Sequence, residues 1–342
     1  MIKEKHVFFV RSDFQFVVCK GIITHYGLHS EDCYFVTDRN TEVEDYKQSP
    51  IYGIGRYFRF DERCMYLFKH YKIVKNFLCD SKLTVYMPFS NHYSSYYNYD
   101  YVFYEEGFSA YKEYLELEEV ESKSRHRVRR LLVFLISPLN KKIRGYLMGF
   151  ICNELKPMKK TRLISFSKDC YPNIHNDLIN KIVISVPKQP VELYTIPYGS
   201  VIIVLDRLVA FGRPFDLCSY KNCIIHELKW LKDRGIKNVY IKFHPADCDN
   251  SDSKRWVEEL LHLNSIEFTV FDGKLEYLAL QNIGVFFLGT NSTILFYAPL
   301  LGDTNKSISF FKVLAAVDDK YKCFIDGWGD FEKIFSKNVA CL

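Results

Sequence analysis

The sequence predicts an α/β protein built from two doubly wound halves with a cleft between them. Three observations carry this. Short apolar runs alternate with helical patterns in both halves of the chain, as parallel sheets covered by helices require. The 342 residues, 48% of them hydrophobic, exceed one ordinary core and suit two. A stretch punctuated by Pro157, Pro172, Pro187 and Pro190 separates the halves, as an interdomain connection does. The expected domains are residues 1–155 and 196–342, with residues 156–195 as the connection.

In the first half, residues 7–10 read as a strand and 13–25 as the helix after it. A second strand follows at 33–37 and a basic-faced helix at 66–78. Strands at 83–87 and 101–104 come next. Residues 108–120 look helical, and 131–136 form an apolar run ended by Pro138. The second half is more regular. A strand at 201–205 precedes an amphipathic helix at 220–234, closed by Gly235. Strand 239–243, helix 254–263 and strand 268–271 follow. A short helix at 275–281, a strand at 284–288 and a helix at 294–300 complete the pattern. Residues 312–342 carry no further site motif.

Charge and composition exclude several classes. The formal net charge is only +5, yet basic residues cluster at Lys123, Arg125, Arg127, Arg129 and Arg130, at Lys141, Lys142 and Arg144, and at Lys156, Lys159, Lys160 and Arg162. Such runs suit a solvated helix face or contact with anionic lipid headgroups. No nucleic-acid-binding motif accompanies them. The first residues lack the apolar core of a signal peptide, and no stretch of eighteen uncharged apolar residues exists. Eleven scattered cysteines without a Cys-x-x-Cys pair argue against a disulfide framework or a zinc site and fit a reducing cytoplasm. The aromatic content, 16%, fits an aromatic-rich core or the lining of a wide cleft.

Four constellations lie at expected strand ends, where open α/β sheets bind ligands. Glu105-Glu106-Gly107 follows an apolar-aromatic run. Adjacent carboxylates repel, which in a cleft tunes one of them as a base; as an acidic helix start they would serve the helix dipole instead. His244-Pro245 ends another strand, and its histidine could donate to a phosphate or cap the strand. Asn291, Ser292 and Thr293 stand at a strand-to-helix turn, where hydroxyls and free N–H groups meet a phosphate or simply cap the helix. Glu276 could accept from ribose hydroxyls or be an exposed surface residue. The strand ends near Asp206, His244 and Thr290 should project to one edge of one sheet. The chain holds no P-loop lysine motif, no Gly-x-Gly-x-x-Gly and no Gly-x-Ser-x-Gly elbow. Asp247-Cys248-Asp249 could hold a divalent cation, but its continuation into Asn250, Ser251 and Asp252 reads as a solvated acidic loop. No metal site is therefore expected.

With Glu105-Glu106-Gly107, His244-Pro245 and Ser292-Thr293 in that order, the chain resembles bacterial sialyltransferases of the GT-B type. These share an acidic-acidic-Gly motif, a His-Pro motif and a Ser-Ser or Ser-Thr pair. The resemblance implies two Rossmann-like domains, the first binding the acceptor and the second the nucleotide sugar. It implies CMP-sialic acid as donor, no cofactor, no metal and inversion at the transferred carbon. Glu105 would be the general base, with Glu106 as the secondary candidate. His244, beside Pro245, would bind or protonate the CMP phosphate; Ser292 and Thr293, next to Asn291, would hold the same phosphate, and Glu276 the ribose. An oligosaccharide acceptor on a lipid carrier would place the protein peripherally on anionic lipid, in the cytoplasm at the inner face of a bacterial inner membrane. Arg11, Asp13 and His92 are the acceptor-side candidates, because they lie near strand ends of the first half. Two alternatives stay open: a related glycosyltransferase using another CMP-keto sugar or a UDP- or GDP-sugar, and a non-catalytic glycan-assembly protein that binds through its basic and aromatic surfaces.

Overall fold

A computed structural model describes residues 4–37, 41, 43, 45–50, 82–88, 100–111, 161–170, 179–187, 194–208, 214–247, 250–328 and 330–342. The chain divides into two units, Met1–Pro187 and Lys188–Leu342.

The first unit is built on seven parallel strands: β1 (Glu4–Val10), β2 (Cys33–Thr37), β3 (Lys47–Pro50), β4 (Lys82–Pro88), β5 (Asp100–Tyr104), β6 (Thr161–Ser165) and β7 (Ile179–Val183). Their spatial order is β3-β2-β1-β4-β5-β6-β7. Helix α1 (Asp13–Tyr26) follows β1 directly. Ser12 starts it by accepting the Gln15 N–H at 3.3 Å, and Gly27 ends it in the left-handed region at φ 62°. β1 is buried on both faces, as a central parallel strand must be. Phe8 stacks between Phe35 and Tyr86, with centroids 5.0 and 4.4 Å away. Much of the aromatic content described here is core.

The second unit contains β8 (Val201–Val204), α2 (Leu217–Asp233), β9 (Val239–Lys242), α3 (Ser251–Leu263), β10 (Thr269–Val270), α4 (Leu275–Gln281), β11 (Phe286–Gly289) and α5 (Thr293–Leu301). β12 (Lys306–Ser309), α6 (Phe311–Val317), α7 (Asp319–Asp326), α8 (Phe331–Phe335) and β13 (Ala340–Cys341) follow. The strand order is β10-β9-β8-β11-β12-β13, all parallel. Helix α2 buries Tyr220, Cys223, Ile224, Leu228 and Leu231, a helical stripe. Gly235 closes it at φ 62°, while the Ile236 N–H reaches the Leu231 carbonyl at 3.2 Å. Phe296, Phe311, Phe331 and Phe335 form an aromatic cluster.

Both sheets grow outward from one central strand and then reverse, giving a topological switch point between β1 and β4 and another between β8 and β11. Ligand sites in such sheets form at the carboxyl ends of the strands flanking that point.

The structure departs from the sequence expectation in several places. The stretch 156–195 contributes β6 and β7, which pair with each other and with β5. A short parallel strand needs only three or four buried positions, and the flanking prolines masked that signal. β3 and β12, with the sequences KQSP and KSIS, were missed because polar residues occupy most of their positions. Ser307 and Ser309 are nevertheless buried. Residues 312–342 supply three helices and an edge strand. The helix expected over 108–120 begins as a 3-10 turn at Phe108–Tyr111, and its remainder lies outside the described residues. So do the expected helix at 66–78, the apolar run 131–136, His92 and the basic clusters except Arg162, which sits in β6. Among the described residues, no helix is long and apolar enough to cross a membrane.

Candidate functional site

In the first unit, chemistry gathers at the carboxyl ends of β1 and β5. Glu105 is the residue after β5 and is fully buried. Its N–H extends the sheet by donating to the Ile164 carbonyl at 2.9 Å, and its Oε2 accepts the Phe166 N–H at 2.8 Å. The Tyr111 hydroxyl also faces Glu105. Burial first, and then the Glu105 charge, push that phenol far up, so it stays protonated. Glu106 is only half-buried. Its carbonyl accepts from Gln15 Nε2 at 3.4 Å, and the Gln15 Oε1 accepts the Arg11 N–H at 2.8 Å. Gln15 thus ties the end of β1 to the end of β5 across β4. Gly107 takes φ 143°, which lets the chain turn away after the two carboxylates. Arg11 and Asp13 are half-buried at the end of β1. Arg11 and Glu106 both act on the buried Tyr104 phenol, which donates to the Phe9 carbonyl. Of the acceptor-side candidates, Arg11 and Asp13 therefore share the sheet edge with Glu105 and Glu106.

In the second unit the edge is built from the ends of β9, β8 and β11. His244 follows β9 and is half-buried, with Pro245 opening a 3-10 turn to Asp247. Burial lowers the imidazole pKa below its ordinary value. Arg207 lowers it further, whereas Asp247 opposes both. Asp206 and Arg207 follow β8. Thr290, Asn291 and Ser292 follow β11, and the Thr290 hydroxyl donates to Asp206 Oδ2, bridging the switch point. His244 and the 290–293 turn therefore flank β8, roughly 10 Å apart by strand spacing.

Ser292 is the N-cap residue of α5, yet its side chain makes no capping hydrogen bond. The ordinary capping role open to Asn291 or Ser292 is not what their hydroxyl or amide performs here. The Asn291 Oδ1 instead lies 3.2 Å from the Thr290 hydroxyl oxygen. Thr293 is exposed on the first turn of α5. Glu276 sits half-buried in the first turn of α4, which begins at the same sheet edge. That helix is anchored by Tyr194, whose hydroxyl accepts the Lys274 N–H and whose carbonyl accepts from Gln281 Nε2, both at 2.9 Å.

The solvated-loop reading of Asp247 is corrected. Asp247 is fully buried; its Oδ2 accepts the Leu208 N–H at 2.9 Å and its Oδ1 accepts from the Ser253 hydroxyl at 3.2 Å. The preceding proline turn folds it inward. Cys248 and Asp249 lie outside the described residues. Among the described residues, no group of three His, Cys, Asp or Glu side chains is arranged to hold a metal ion.

Two carboxyls at and beneath this edge have raised pKa values that sequence reasoning missed. Burial pushes Asp206 up to about 6, with the Thr290 and Tyr220 hydroxyls limiting the shift. Glu227 occupies the apolar stripe of α2 and is raised well above its ordinary value by burial and then by Asp206. Its place in the heptad pattern was the available signal: a glutamate among Cys223, Ile224, Leu228 and Leu231. Both carboxyls bind their proton more tightly folded than unfolded. Their stability contribution is therefore complete below the unfolded values and is lost as pH rises through the folded ones. For Asp206 that window runs from 3.8 to about 6; for Glu227 it starts at 4.5 and extends well above. Glu227→Gln cannot ionise, so its melting temperature should gain on the native protein steadily between about pH 5 and pH 8. Parallel melting curves across that range would show that Glu227 does not titrate with folding.

No protein-family model and no curated protein sequence matches this chain. Solved structures do. The UDP-GlcNAc 2-epimerase of Methanocaldococcus jannaschii aligns over 99% of this chain and 88% of its own, with 11% identity and a TM-score of 0.50. A sialyltransferase from Photobacterium damsela aligns over 99% and 81%, with 10% identity and a TM-score of 0.49. Residues 113–497 of the Photobacterium damselae sialyltransferase, described as its GT-B domain, align over 99% of both chains, with 11% identity and a TM-score of 0.45. At such identities likeness speaks to fold alone. Together with the two strand orders, the fold is α/β of the GT-B type, with two Rossmann-like units.

Proposed function

We propose that the protein is an inverting, metal-independent sialyltransferase that moves sialic acid from CMP-sialic acid to a hydroxyl of a bacterial surface glycan, with galactose as the expected acceptor sugar. One observation supports this above the others. His244 and the uncommitted hydroxyl of Ser292 share the switch-point edge of the second unit, at the N-terminus of α5. Such a placement suits a phosphate, and it coincides with the motif set whose order resembles bacterial sialyltransferases.

In this reading the second unit holds the nucleotide. Glu276 accepts from the ribose, and His244, Ser292, Thr293 and the α5 N–H groups meet the phosphate. The bond between the sialic acid anomeric carbon and the phosphate oxygen breaks, its electron pair leaving on CMP. His244, kept neutral near pH 7 by its lowered pKa, donates an N–H hydrogen bond to that developing charge. The acceptor hydroxyl loses its proton to the carboxylate pair of the first unit as its oxygen bonds to the anomeric carbon. A donor with one phosphate needs less charge neutralisation than a diphosphate, which is why these groups suffice without a metal. The basic runs at 123–130, 141–144 and 156–162 suit a lipid-linked acceptor at the inner face of a bacterial inner membrane.

The test is incubation of the purified chain with CMP-sialic acid and a panel of galactosides, with products read by mass. Sialylated product is expected, undiminished by EDTA, and the protein is expected to sediment with anionic vesicles at low salt. Product only from a UDP- or GDP-sugar, or from another CMP-keto sugar, would reassign the donor. No product from any sugar nucleotide, with Glu105 and Glu106 replaceable without consequence, would make this a binding protein.

A further inference from the structure

We propose that Arg207 is a nucleotide-phosphate ligand of the second unit, acting beside His244; this rests on the nucleotide-site reading above and adds to it a residue outside the motif set. The argument begins with the backbone. Arg207 lies between two clamped neighbours. The Asp206 N–H donates to the Tyr220 hydroxyl at 2.8 Å, and the Leu208 N–H donates to the buried Asp247 Oδ2 at 2.9 Å. Tyr220 is itself buried and stacked on Phe215 at 4.3 Å, so the first clamp is rigid. The second clamp joins the β8 end to the β9 end. Asp247 holds Leu208 through its carboxylate, while its own N–H donates to the His244 carbonyl at 2.8 Å.

These bonds fix where Arg207 emerges. It stands at the carboxyl end of β8, the strand bordering the switch point. On one side is the His244 turn and on the other is Thr290, tied to Asp206. Strand order sets the end of β8 next to the end of β9, and the Arg207 charge adds to burial in lowering the His244 pKa. The Arg207 Nε is buried, and the residue as a whole is half-buried. A guanidinium at the end of β8, with an imidazole at the end of the neighbouring β9 and a serine hydroxyl at the end of the neighbouring β11, would make a donor set for a phosphate. An arginine there offers paired N–H donors in one plane, matched to two phosphate oxygens.

Calorimetry with CMP and with cytidine separates the phosphate contribution from the rest of the nucleoside. Arg207→Gln should weaken CMP binding roughly ten- to hundredfold and leave cytidine binding unchanged. Arg207→Lys should recover part of the CMP affinity, because charge returns without the planar fork. In the free protein, NMR titration should place the His244 imidazole higher in Arg207→Gln than in the native chain, its signal identified by its loss in His244→Gln. Unchanged CMP affinity, or CMP and cytidine affinities falling together with the melting temperature, would make Arg207 a purely structural residue. An unmoved His244 titration would overturn the adjacency itself. Should the native protein prefer no nucleotide over its nucleoside, the function proposed above falls. Inorganic phosphate then decides for Arg207 alone: binding lost in Arg207→Gln upholds it, and no binding by the native chain overturns it.

Discussion

Glu106→Gln is expected to abolish transfer while leaving the melting temperature unchanged, whereas Glu105→Gln should lose both turnover and stability. Removing a general base costs roughly two to four orders of magnitude in rate. The two carboxylates are adjacent in sequence but differ in surroundings. Glu105 is fully buried and accepts the Phe166 N–H with Tyr111 against it. An amide there keeps one acceptor oxygen for the Phe166 N–H but puts a donor in place of the other, in a fully buried position. Leaving such a buried donor unsatisfied costs about 1–3 kcal/mol. Glu106 is half-buried, and its backbone carbonyl accepts from Gln15. A carboxylate must meet the acceptor hydroxyl to take its proton, and of the pair Glu106 is the one with exposed surface. The resemblance to bacterial sialyltransferases assigns the base to the first carboxylate; from the burial pattern we propose the reverse, with Glu106 as base and Glu105 as its support. Rate assays and thermal melting on both variants decide between them. Loss of turnover confined to Glu105→Gln, at native melting temperature, returns the base to Glu105.

How much of this was legible beforehand depends on the kind of signal. α1, β2 and α4 could be read because their patterns are local: Ser12 before an apolar helix, CYFVT as one buried run, and a short helix ending where Asn282 takes φ 53°. His244 and Glu105 could be placed because each follows an apolar strand. β12 could not, because its buried serines at 307 and 309 obey tertiary contacts; Ser309 donates to the Thr290 carbonyl from the neighbouring strand end. β6 and β7 were hidden by proline spacing that usually marks a linker. The roles of Asp206, Arg207 and Asp247 were invisible for a similar reason. An aspartate or arginine after a strand has the same local sequence whether it faces water or another loop. Only the order β9-β8-β11 brings Asp206 to Thr290 and Arg207 to His244. Asp247 looked like a solvated loop because its neighbours in sequence are polar, while its partners, Leu208 and Ser253, come from the β8 end and from α3.

His244→Ala and the double variant Ser292→Ala with Thr293→Ala should each lower turnover by roughly 10²–10³, since each removes donors aimed at charge that develops on the leaving phosphate. CMP affinity should fall as well, by a smaller factor, because the bound ground state already carries part of that charge. The decisive point is stability. A serine that caps a helix through its side chain costs about 1 kcal/mol when changed to alanine. Ser292 makes no such bond to α5, and Thr293 is exposed. The double variant should therefore melt with the native protein while losing function. That combination separates a ligand-binding hydroxyl pair from an ordinary helix start, which the sequence alone left equally open. His244 is half-buried beside Asp247 and Arg207. Its replacement should also leave the two clamps intact, because those run from the Asp206 N–H to Tyr220 and from the Leu208 N–H to Asp247 and not through the imidazole. Calorimetry with CMP, turnover with CMP-sialic acid and melting temperature, taken on the same preparations, settle it. Normal CMP affinity in both variants would remove the phosphate from this edge. A melting temperature lowered in the double variant would show that the hydroxyls serve the helix.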